Sequence, residues 1–211
     1  MTFNKEKTCF YDRYPKLIEN RKDIEAAADS IIKCYENSGK ILICGNGGSA
    51  ADCEHIVGEL MKGFNKKREL KDEQKRAFDG IENAEYLFSH LQNALPAVSL
   101  VSQTSLITAF LNDVSADMIF AQQVWGYGNK GDILLSLSTS GNSANVVNAS
   151  KTAKAAGLTV ISVTGEKESG LSLISDICIR LPACSVPEIQ ELTVPVYHYI
   201  CDCVESRFFE I

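Results

Sequence analysis

Five short apolar runs, at Lys40–Cys44, Ala97–Val101, Asp132–Leu137, Leu158–Val163 and Ile174–Leu181, alternate with stretches whose apolar residues recur at helical spacing. Runs without polar alternation suit strands covered on both faces, and strands separated by helices pair in parallel through helical crossovers. The order therefore predicts an α/β protein, a central parallel sheet with helices on both faces. A chain of 211 residues, 45% hydrophobic and 23% charged, suffices for one sizeable domain, and we read 1–211 as one.

Helical patterns fill the gaps. Leu17, Ile18, Ile24, Ala27, Ala28, Ile31, Ile32 and Tyr35 predict a helix over 15–38, with Gly39 as its left-handed stop. Further helices are predicted from Ser49 to about Phe64, over 102–111 and 116–125, over 144–156 with Gly157 as stop, and over 186–208. Pro195 falls inside the last of these, where it removes one backbone hydrogen bond and should bend the helix. Residues 65–95 begin KKRELKDEQKR and read as a charged, solvated, partly helical insertion, with His90 incidental in it.

Two strand ends run into polar turns and then straight into helices. The first is Gly45-Asn46-Gly47-Gly48-Ser49, whose glycines let backbone approach a ligand and whose helix N-terminus favours an anion. The second, Ser138-Thr139-Ser140-Gly141-Asn142-Ser143, holds four hydroxyls in six residues. One helix needs one such residue as a cap. The surplus suits a phosphate monoester, bound by hydroxyl and backbone donors without net positive charge. Neither turn has the spacing of a nucleotide-binding loop. His55 and Glu59, four apart on the first of these helices, share one face.

The net charge of −6 and pI of about 5.2 exclude a broad basic footprint for nucleic acid. No apolar run is long enough for a membrane span, and the N-terminus lacks a secretory core. Eight cysteines, several inside apolar runs, then read as reduced thiols of a cytoplasmic protein, and Cys201-Asp202-Cys203 diverges too much on a helix to share a metal.

Taken together, CGNGGSAAD followed by His55 and Glu59, LSTSGNSANV, the segment Ala97–Val101 with Thr104-Ser105 and Asn112-Asp113, and Glu188-Ile189-Gln190-Glu191 followed by His198 resemble the sugar isomerase (SIS) domain family, and within it the phosphoheptose isomerases. The resemblance implies a Rossmann-like α/β/α sandwich, a homotetramer, and active sites shared between subunits. It implies interconversion of sedoheptulose 7-phosphate and a glycero-manno-heptose 7-phosphate. By motif position it makes Glu59 and His198 the acid/base pair. It assigns phosphate and substrate binding to Asn46, Gly47, Gly48, Ser49, Ser138, Thr139, Ser140, Ser143 and Gln190. Some members hold zinc with residues matching His55, Glu59, Gln190 and His198, which makes these four the candidate ligands here. The chain departs from the pattern at Gln103, at Gly63 (with Lys62 beside it), at Pro187-Glu188, at Pro195 and in the long insertion.

Moving a proton between two carbons of a sugar needs a base at carbon and an acid at oxygen. A shielded carboxylate suits the first task and an imidazole the second, hence Glu59 and His198. The second reading is a non-catalytic SIS protein that binds a phosphosugar or a replication initiator. It would keep the phosphate turn but has no need of Glu59 with His198.

Overall fold

The structure, a computed structural model, describes residues 9–209. Five strands form one sheet in the order β2-β1-β3-β4-β5, every pair parallel: β1 (Ile41–Gly45), β2 (Ala97–Ser99), β3 (Ile133–Leu137), β4 (Thr159–Gly165) and β5 (Ile177–Leu181). Side chains alternate across the sheet, as a pleated strand requires. Ile41, Ile43, Leu135, Ile161 and Ile179 pack on one face with α1 (Arg21–Glu36), α2 (Gly48–Met61) and the last helix. Leu42, Cys44, Leu134 and Val160 pack on the other, against helices that lie between β2 and β5 in sequence. The two cores make this the three-layered α/β/α sandwich that the apolar runs predict.

Between α2 and β2 lie the short helices α3 (Asp72–Lys75) and α4 (Ala84–His90). Then come α5 (Thr104–Asp113), α6 (Ile119–Tyr127), α7 (Ala144–Ala155), α8 (Gly170–Ile174) and α9 (Val186–Phe208). Several boundaries differ from the sequence expectation. Pro15–Asn20 is a 3-10 turn, and α1 starts only at Arg21. α1 ends at Glu36, and the left-handed residue after it is Ser38 (φ 60°), not Gly39. Gly39 is required for a different reason. It donates to the carbonyl of Cys34 while a Cβ there would press on the Cys34 sulfur. α2 stops at Met61, where Lys62 turns extended, rather than at Phe64. Ile174 is the end of α8, not the start of β5, because Ser169 and Ser172 cap one another and close a short helix there. Gly157 does stop α7 in the left-handed conformation.

α9 runs through Pro195 without interruption. The missing N–H is the one that would reach the carbonyl of Glu191. Among the described residues no helix is long and apolar enough to cross a membrane. All eight cysteines are free thiols.

Candidate active site

In the order β2-β1-β3-β4-β5, the chain reverses direction across the sheet between β1 and β3. Ligands bind at such switch points, beyond the carboxyl ends of the strands. The ladder between β1 and β3 ends at Gly45 opposite Leu137, so both polar turns leave the sheet side by side. The amides of Asn46 and Asn145 clasp across them. Asn46 Nδ2 donates to Asn145 Oδ1 at 2.9 Å, and Asn145 Nδ2 donates to Asn46 Oδ1 at 3.0 Å.

The turn residues are committed to this crevice in ways that helix capping does not explain. Ser143 stands at the N-cap of α7, yet its hydroxyl makes no cap and faces Ser138 Oγ at 3.2 Å. Ser138 and Ser49 are buried. Ser140 Oγ accepts from the Asn142 amide at 3.2 Å. Thr139 and Ser140 line a cavity of about 300 Å³ with Glu166, Lys167 and Ile189. Gly47 holds a positive φ of 56° at the N-cap of α2. Gly48 is pressed against Gln190 so closely that a Cβ would overlap its side-chain amide.

Further along α2 a second cluster forms. α2 and α9 pack in parallel, so Gly48 meets Gln190 at one end while His55 and Glu59 meet His198 at the other. His55 Nε2 lies 3.0 Å from Glu59 Oε1, and the rings of His55 and His198 are edge to face with centroids 5.0 Å apart. One ligand atom from each of His55, Glu59 and His198 lies within 4.8 Å of the others. Glu59 is largely buried, with 12% of its side chain exposed. Its Oε2 and the His198 Nε2 are both buried without a hydrogen-bond partner. Lys62 Nζ stands 3.7 Å from that oxygen, an ion-pair distance beyond hydrogen-bond reach. Ligand atoms on a tetrahedral zinc stand about 3.4 Å apart. Two orphaned polar atoms and a half-exposed imidazole at this spacing fit a divalent metal.

Burial lowers the pKa of His198 below its ordinary 6.5, His55 adds to the effect, and Glu59 opposes it. The neutral imidazole is therefore the form present at neutral pH. Tyr197 was not foreseen from sequence. Its hydroxyl lies 2.9 Å from His55 Nδ1 and donates to Asp52 Oδ1 at 3.4 Å. Burial raises the Asp52 carboxyl above its usual value, with Tyr197 and His55 opposing. Burial raises the Tyr197 phenol too, helped by Asp52. Tyr197 fixes the ring of His55 from the side away from Glu59.

Of the residues expected at the site, the structure brings His55, Glu59 and His198 into one group, and Asn46, Ser138, Ser143 and Gly48 into the crevice. Gln190 joins the crevice rather than the metal-competent group. It precedes His198 by two turns of α9, about 12 Å. The two groups are also separate within one chain. Glu59 lies three turns, about 16 Å, beyond Gly48. His198 lines a different cavity, of about 340 Å³, with Phe10, Tyr14, Phe64 and Tyr199.

The SIS domain pattern matches residues 14–87 and 83–165. The chain belongs to the SIS domain family. The phosphoheptose isomerase of Helicobacter pylori (strain P12) is 34% identical over 205 residues, spanning 97% of this chain and 94% of that protein. A phosphoheptose isomerase structure from Neisseria gonorrhoeae superposes with a TM-score of 0.73 at 32% identity, covering 97% of this chain and 96% of that one. One from Francisella tularensis gives 0.75 at 30% identity, covering 98% and 99%. Within this SIS domain the five-stranded parallel sheet and its flanking helices match those structures over nearly their full length.

Proposed function

We propose that the protein is an aldose–ketose isomerase that converts sedoheptulose 7-phosphate to D-glycero-D-manno-heptose 7-phosphate. The observation that carries this is the meeting of a largely buried carboxylate, Glu59, with an imidazole, His198, from two helices of a fold whose switch-point crevice is rich in hydroxyls. The near full-length likeness to phosphoheptose isomerases supports it.

In this reading Ser49, Ser138, Thr139, Ser140 and Ser143 hold the phosphate, with backbone amides of the Asn46-Gly47-Gly48 turn. Gln190, packed on that turn, contacts the sugar. Glu59 takes a proton from C1 of the open ketose while the C2 oxygen gains one, giving the enediol. Return of a proton to C2 and loss of the O1 proton give the aldose. His198, neutral at pH 7, exchanges the oxygen-bound protons. A zinc ion held by His55, Glu59 and His198 would polarise the substrate oxygens.

The wide separation of Glu59 from the serine-rich turn in one chain favours a site completed by a second subunit. Leu111 on α5, Val114 just after it and Trp125 on α6 (66% exposed) are exposed apolar side chains suited to subunit contact in a homotetramer. Free thiols throughout suit the cytoplasm. A phosphosugar-binding or initiator-binding regulator would leave Glu59 and His198 without a task. Incubation with sedoheptulose 7-phosphate, followed by NMR for the aldose anomeric signal, tests the proposal. Turnover is expected. None, in a folded protein with its metal restored, would contradict it.

A further inference from the structure

Arg68 lies in the charged insertion, yet its side chain is fully buried, as is that of its partner Glu205. Nε donates to Glu205 Oε1 at 2.8 Å, Nη1 to the carbonyl of Leu60 at 2.6 Å, and Nη2 to the carbonyl of Glu59 at 3.0 Å. The guanidinium also lies over the ring of Phe209, 4.8 Å from its centroid. Glu205 in turn accepts from the amides of Phe64 and Asn65 at 2.8 and 2.7 Å. The other end of the insertion closes on the same spot, where the Leu95 amide donates to Leu60 at 3.0 Å.

The last carbonyls of a helix have no partner within it, and a cation is favoured there. Arg68 satisfies two of these on α2, one of them belonging to Glu59 itself. Through Glu205 it grips α9 two turns beyond His198, on the same face. A buried ion pair gives little net stability over an apolar pair of similar volume. A planar fork that engages three acceptors on two helices does fix their spacing.

We propose that Arg68 is a positioning residue: it locks the end of α2 to α9 so that the Glu59 carboxylate and the His198 imidazole keep a fixed separation. The inference rests on the assignment of those two as the acid/base pair. The insertion is then a brace for the reacting groups rather than a solvated excursion.

Arg68→Lys keeps the charge beside Glu205 but offers one ammonium in place of the fork. It should fold, hold KM for sedoheptulose 7-phosphate within about threefold, and lose on the order of 10²-fold in kcat, the cost of small misplacement of reacting groups. Arg68→Ala should lose at least as much kcat and regain part of it on addition of guanidinium. A second readout needs neither substrate nor metal. In imidazole 15N–1H spectra the His55 and His198 signals should move in Arg68→Lys, while His90, whose hydrogen bonds stay within its own short helix, stays in place. A folded Arg68→Lys with kcat within twofold of wild type would overturn the proposal. If wild type itself does not turn over, the isomerase reading fails. The spectra still decide Arg68: unmoved His55 and His198 signals would overturn its positioning role.

Discussion

The Tyr197 hydroxyl touches Nδ1 of His55 at 2.9 Å while Nε2 of the same ring faces Glu59 at 3.0 Å, so one imidazole is held from both sides. The partner of the far nitrogen sets which nitrogen is free to bind a metal.

Tyr197→Phe removes that partner without opening a large cavity. Loss of such an outer contact weakens metal affinity about 10- to 100-fold. Competition for Zn²⁺ against a chromophoric chelator should show this shift, with elemental analysis finding about one ion per subunit in wild-type protein purified without added metal. Equal affinity in the two proteins would remove Tyr197 from the site.

Asn145→Ala breaks the reciprocal amide pair with Asn46 and lets the two turns separate. Two neutral hydrogen bonds are each worth about 1 kcal/mol. We expect KM for the sugar phosphate to rise about 5- to 30-fold with kcat less affected. Steady-state kinetics would expose the alternative, a fall in kcat at constant KM.

The lowered pKa of His198 has a definite sign. Folding disfavours its protonated form, burial being the main cause, so the unfolded chain binds that proton more readily. Its effect on stability is absent above pH 6.5, and stability falls as pH drops from 6.5 toward the folded value. If neutral His198 is the working form, kcat/KM, which reports the groups of the free protein, falls over the same window, with a midpoint below 6.5. Thermal unfolding of the metal-free protein against pH checks the stability effect, and an acid limb of kcat/KM centred above 6.5 would contradict the working form.

A site shared between subunits predicts complementation. Glu59→Gln and Ser140→Ala proteins, each impaired alone, should recover turnover when co-expressed, because some mixed assemblies pair the intact halves. Mixed assemblies seen by native mass spectrometry without recovered activity would place both halves in one chain.

The sheet was legible in the sequence because its strands are apolar on both faces, and the crevice because Ser138–Ser143 carries more hydroxyls than a cap can use. His55, Glu59 and His198 were legible as a pattern, and the parallel packing of α2 and α9 makes them a cluster. Arg68 was not legible. A charge run reads as solvated on average, and its partner lies 137 positions away. The available signal was Glu205, an acid directly following Cys201, Cys203 and Val204 and buried with them. α8 was missed because a short helix capped by its own serines has no room for a periodic pattern. Ser38, not Gly39, holds the left-handed position after α1, while Gly39 is taken up by its close approach to Cys34.

Proton transfer by Glu59 is tested most directly in D2O. Wild-type protein should form aldose carrying deuterium at C2, seen by NMR. Glu59→Gln should fold, bind the sugar phosphate, and lose about 10²- to 10⁴-fold in kcat, the usual contribution of a positioned base, with exchange at carbon lost in step. A folded Glu59→Gln that turns over and exchanges within a few-fold of wild type would contradict the account at its centre.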